Sequence, residues 1–63
     1  MSLHEYIVSG RLGKEDVPFY ALIMAAIRKA DPTNEYKLRT MFPDVWDEFY
    51  ARDHAPGGYL QGE

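Results

Sequence analysis

The 63-residue sequence predicts an all-α fold: a small bundle of three main helices over about 17–30, 33–42 and 43–53, preceded by a short helix at about 2–9. Three observations lead there. No segment alternates apolar and polar residues for long enough to make a strand. Apolar residues recur instead at intervals of three and four, which gathers them on one side of a helix. Between these runs stand residues that start or stop helices, among them Ser2, Asp16, Pro18, Pro32, Pro43 and Gly10. Residues 1–54 read as one helical domain and 55–63 as a flexible C-terminal tail.

The first helix opens on a capping box. Ser2 is placed to accept from the Glu5 N–H, and the Glu5 carboxylate to reach back to the Ser2 N–H. Leu3, Tyr6 and Ile7 form a short apolar stripe, and Gly10 suits the left-handed residue that ends a helix. Residues 11–15 then read as a turn, with Leu12 as an anchor into the core.

The run "VPFYALIMAAIRKAD" predicts the main helix, capped by Asp16 and with Pro18 in its first turn. Its spacing puts Phe19, Leu22, Ile23, Ala26 and Ala30 on one face, with Ile27 at the edge. Val17, Tyr20 and Met24 continue round the wheel, so more than half the circumference is apolar. Such a helix should be touched on two sides. The second side calls either for the N-terminal helix, through Leu3, Tyr6 and Ile7, or for another protein.

Pro32 disfavours helical geometry at Asp31 and suits a first helical position itself, so one helix ends and the next begins there. In that next helix Leu38, Met41 and Phe42 are expected inward, with Tyr36, Lys37, Arg39 and Thr40 outward. The last helix begins at Pro43, with Asp44 and Asp47 near its positive end and Arg52 near its negative end. Val45, Trp46, Phe49 and Tyr50 make its apolar arc. "HAPGGYLQGE" follows with a Pro-Gly turn and no periodicity, although Tyr59 and Leu60 offer side chains for docking.

Composition narrows the function. A chain this short buries only about 60% of its unfolded surface, so its core is small and its margin thin. With no cysteine, disulfides are excluded and the remedies left are packing and association. An excess of ten acids over seven bases argues against a free-standing nucleic-acid binder, and no apolar run approaches the ~20 residues of a membrane span. The N-terminus has neither the basic start nor the apolar middle of a signal peptide, so a cytoplasmic location is expected.

Nothing in the residues carries catalysis. His4 and His54 stand at opposite ends of the chain, where no third ligand gives metal spacing. Ser2 and Ser9 lack a histidine with a carboxylate orienter, and "PGG" lacks the lysine and hydroxyl of a phosphate loop. No cofactor and no metal are expected. The acids Asp44, Asp47, Glu48 and Asp53 give only a weak case for a decoy that occupies a nucleic-acid-binding protein, since four acids on one small helix are an ordinary solvated face.

The run "PFYALIMAAIRKAD…LRTMFPDVWDEFYAR…APGG", with its "FP-x-VW-x-E" step into the last helix, resembles small uncharacterised proteins of bacterial phages and mobile elements. The resemblance covers about 18–58 and implies a bacterial or phage context; it carries no site onto any residue here.

Two function classes follow. The first is a non-enzymatic protein-protein interaction module, acting as a homodimer or by docking on a host protein. Its candidate contact residues are Val17, Tyr20, Met24, Trp46 and Tyr50, because tyrosine and tryptophan bury a large area while keeping a polar handle. The alternative is a helix-turn-helix-like DNA-binding regulator using residues 34–42, through Tyr36, Lys37, Arg39 and Thr40. Against it, the turn is Asp-Pro-Thr, Glu35 sits near the groove-entering end, and the flanking Asp31, Asp44 and Asp47 would repel phosphates.

Overall fold

The structure, a computed structural model, describes residues 1–63. It is all-helical and contains no strand. Four α-helices follow in order: α1 (Leu3–Gly13), α2 (Phe19–Lys29), α3 (Pro32–Met41) and α4 (Pro43–Asp53). A 3-10 turn comes after them at Pro56–Gly58.

The starts and stops follow local chemistry, with three departures from expectation. Ser2 Oγ accepts from the Glu5 N–H at 3.2 Å, but the Glu5 carboxylate meets the Met1 ammonium at 3.3 Å rather than the Ser2 N–H. Gly10 does not end α1. It keeps a negative φ, and the helix runs on until the Lys14 N–H bonds the carbonyls of Arg11 and Leu12. A single glycine costs a helix only about 1 kcal/mol, so it stops one only where the chain also turns.

Asp16 does not cap α2 either. Val17 precedes a proline, which steers it away from helical geometry. Pro18 is itself extended (φ −63°, ψ 147°) and takes the capping position without a side-chain bond. The helix therefore begins at Phe19, out of reach of the Asp16 carboxylate.

The later junctions are tighter. Ala30 is extended at ψ 137°, and Asp31 caps α3 by accepting from the Asn34 N–H at 2.9 Å, with Pro32 in the first helical position. One residue, Phe42 (φ −130°, ψ 61°), separates α3 from α4, because the residue before Pro43 is barred from continuing the helix. Its N–H still bonds the Leu38 carbonyl at 2.8 Å while its own carbonyl accepts from Trp46 at 2.9 Å. No residue of the connection leaves both of its backbone groups idle.

Helices α2, α3 and α4 pack on one another and α4 also meets the 3-10 turn, whereas α1 packs on none of them. Of the two covers that the sequence allows for α2, the N-terminal helix is thus not the one in place. The contacts between α2 and α4 advance in step: Tyr20 beside Val45, Met24 beside Phe49, and Arg28 3.8 Å from Asp53. The two helices run alongside in the same sense.

That packing rotates α2 from the face the sequence predicts. Only Ile27 (6% exposed) and Val45 (7%) are buried, with Ile23, Met24, Leu38, Phe42, Trp46 and Phe49 half-buried round them. Phe19 (60%) and Leu22, expected inside, are exposed on the arc away from α4. Met24, expected on the free face, lies in the seam. The wheel offers two apolar arcs of similar strength, and the direction from which α4 arrives selects one. Met41, also expected inward, is 73% exposed, because Leu38 and Phe42 fill the α3 side of the core.

The molecule measures 43 × 28 × 17 Å and has a radius of gyration of 13.4 Å. A compact chain of 63 residues would have about 10.6 Å. The difference is the projecting α1.

Candidate interaction surface

Many large apolar side chains stand at the surface. On α1, Leu3, Tyr6, Ile7 and Leu12 are exposed; on the segment into α2, Val17, Phe19, Tyr20 and Leu22 are exposed as well. The 7.3 kDa chain presents 5571 Å2 to solvent. A folded monomer of that mass presents about 4,200 Å2, so the excess is about 1,400 Å2. Phe19 and Tyr20 hold each other edge to face, ring centroids 5.3 Å apart, which fixes two large rings on the open side of the α2 N-terminus.

The five candidate contact residues divide between this surface and the core. Val17 and Tyr20 lie on the open surface. Met24 sits between α2 and α4, lining one groove with Tyr20 and Val45 and another with Arg28 and Phe49. Trp46 is half-buried, with the Arg39 guanidinium 5.7 Å from its ring centroid. Tyr50 is exposed but stacked on His54 at 4.1 Å, where the His54 ring also bonds the Tyr50 carbonyl through Nδ1 at 2.8 Å. Phe19, Leu22 and the α1 stripe belong to the surface and are absent from that set. The signal for them was Pro18, which displaces the helix start to Phe19.

On α3, Tyr36, Lys37, Arg39 and Thr40 all face solvent. Arg39 is flanked by two rings, Tyr36 at 5.9 Å and Trp46 at 5.7 Å, which holds the guanidinium against α4 by cation–π attraction. Beside it, Lys29, Asn34 and Lys37 rim an open groove of about 510 Å3 floored by Ala26, Ala30 and Leu38.

No group of three His, Asp or Glu side chains converges as metal ligands would. The acids of α4 are partly engaged: Asp53 with Arg28, Glu48 with Arg52 at 4.0 Å, and Asp44 Oδ1 accepting from the Val45 N–H at 2.9 Å. No helix is long and apolar enough to cross a membrane.

The last residues fold back through one arginine. Arg52 Nη1 donates to the Gly58 carbonyl at 2.9 Å and to Glu63 Oε1 at 2.6 Å, while Nη2 donates to Glu63 Oε2 at 2.5 Å. Gly57 and Gly58, with φ of 61° and 74°, supply the left-handed turn that brings the chain back. At Gly57 a Cβ would also come within 3.2 Å of the Tyr59 ring. Glu63 Oε1 accepts from the Leu60 N–H too, at 2.9 Å, and Leu60 rather than Tyr59 is the partly covered side chain.

The hydrogen bonds from Arg52 first, then the bond from the Leu60 N–H, hold the Glu63 carboxyl down from 4.5 to about 2. The same hydrogen bond raises the Arg52 guanidinium. Because the folded value of Glu63 lies below the unfolded one, the latch is at full strength above about 4.5 and is lost as pH falls through about 2. The Leu60 amide resonance should therefore titrate with a midpoint near 2, and this step should vanish in Glu63→Gln. A midpoint near 4.5 would mean that the pair does not form.

What stands out is the apolar surface of α1 and the start of α2, and no family model, curated protein or solved structure matches the chain.

Proposed function

We propose that this chain is a non-enzymatic interaction module, a small helical bundle centred on α2, α3 and α4, that works by burying its open apolar surface against a second protein chain. The partner is another copy or a host protein, and the setting is the cytoplasm of a bacterium carrying a phage or mobile element. One observation carries the reading: large apolar side chains of α1 and the first turn of α2, among them Leu3, Tyr6, Phe19 and Leu22, stand exposed on a chain that presents about 1,400 Å2 more surface than a globular monomer of its mass. Apolar patches on monomers seldom exceed a few hundred Å2, and larger ones mark interaction sites. Val17 and Tyr20 contribute contact area and a hydroxyl for orientation. Met24 acts from behind, in the seam between α2 and α4, and Trp46 against Arg39 of α3.

The test is sedimentation of the labelled chain, alone and in bacterial lysate. The wild type is expected to run heavier than a monomer in at least one of them. Phe19→Asp should run as a monomer in both and keep the emission of Trp46, which reports the packing of α3 and α4. A wild type that is monomeric in both would end this reading.

A further inference from the structure

We propose that the open surface is filled by a second copy of this chain through exchange of α1, each copy laying its Leu3–Tyr6–Ile7 stripe on the Phe19–Leu22 face of the other. This rests on the interaction reading above and names its partner.

The open area suits a second copy. A standard interface buries about 800 Å2 on each partner, and obligate homodimers begin at about 1,000 Å2 per partner. Exchange of α1 can bury area of that order, since each chain presents about 1,400 Å2 more surface than a globular monomer of its mass. An occasional partner does not fit the need. With only Ile27 and Val45 buried, the stability margin of the chain is thin, and cover that is present whenever the chain is adds to it. A second copy meets that condition by construction.

Helix α1 is itself without a neighbour. It has 11 residues and packs on no other element. Isolated helices shorter than about 12–15 residues are marginal in water, so α1 needs a surface to lie on. Its stripe is apolar and so is the uncovered arc of α2, and each lacks what the other supplies. Gly10 lies on the same side of α1 as Leu3 and Ile7 by helical spacing, and open space surrounds it, which permits a close backbone approach.

The linker between α1 and α2 is short and constrained. Residues 14–18 are held by their own bonds, Glu15 N–H to the Leu12 carbonyl at 3.1 Å and Val17 N–H to the Glu15 carbonyl at 2.9 Å, and they end in the extended Pro18. This directs α1 away from its own α2. A short, constrained hinge that prevents a contact within one chain while leaving both surfaces intact favours the same contact between two chains. Reciprocal exchange about a two-fold axis closes the assembly at two copies and covers both faces at once.

The chain has no cysteine, so introduced ones report geometry directly. Ile7→Cys and Leu22→Cys chains are mixed and oxidised, and the wild type is run in parallel by sedimentation equilibrium and by thermal melts over a hundredfold concentration range. The expected results are a twofold mass (twice 7.3 kDa), a melting temperature that rises with concentration, and a disulfide linking the two different variants in preference to either with itself. A dimer whose 7–22 cross-link does not form overturns the exchange. A monomer with a concentration-independent melt overturns the second copy. In that event the double variant Ile7→Cys/Leu22→Cys decides the wider reading. If it closes within one chain, α1 covers its own α2 and the interaction reading falls as well; if it stays open, the surface is free and that reading stands.

Discussion

Ile27→Ala is expected to remove the cooperative thermal transition. Ile27 is the one buried residue of α2, the helix that packs on both α3 and α4. Truncating a buried isoleucine to alanine costs about 2–5 kcal/mol, from lost transfer energy and the cavity left behind. A domain of this size has at most a few kcal/mol in hand. Far-UV circular dichroism against temperature is the measurement, and a broad, non-sigmoidal loss of helix is the expected trace. Met41→Ala is the control. That side chain is 73% exposed, so its loss should move stability by no more than about 0.5 kcal/mol. Equal effects at the two positions would mean that the interior is not where the burial pattern puts it.

Met24→Asp is expected to disrupt the packing itself, with loss of helix and a shift of Trp46 emission toward that of exposed tryptophan. The position is half-buried in the seam between α2 and α4. Asp44 and Glu48 line the same groove and would repel a new carboxylate, while Arg28 and Arg52 line the groove on the far side and offset part of that. An unpaired charge in a fully buried site costs about 3–5 kcal/mol, and half-exposure reduces this to about 2–3 kcal/mol. Phe19→Asp differs by five residues and by one arc of the helix, and should leave the Trp46 signal unchanged. The pair separates interior from interface along a single helix. Should Met24→Asp keep its helix and lose only association, Met24 belongs to the contact surface instead.

These two positions also mark where sequence reasoning stops. The all-helical class was legible because it depends on spacing and on proline, and both act within a few residues. Asp31 capping α3, Pro32 and Pro43 in first helical positions, and Phe42 as the one-residue joint follow from the steric restriction before proline, whatever the chain packs against. The same restriction at Val17, applied one residue further, would have placed the start of α2 at Phe19. The end of α1 was less legible, since a helical glycine costs too little to decide a boundary alone.

The faces were another matter. α2 carries apolar residues over more than half its circumference, and periodicity ranks neither arc above the other. Only the arrival of α4 along Tyr20, Met24 and Arg28 made one arc interior, and only the outward course of α1 left Phe19 and Leu22 bare. The latch between Arg52 and Glu63 belongs to the same class, because the two are eleven residues apart and meet only once Gly57 and Gly58 have turned the chain back. Helix content and helix joints came from local sterics and hydrogen bonding. Which apolar surface is hidden and which is offered to a partner came from packing between distant segments, and no window of neighbouring residues holds that information.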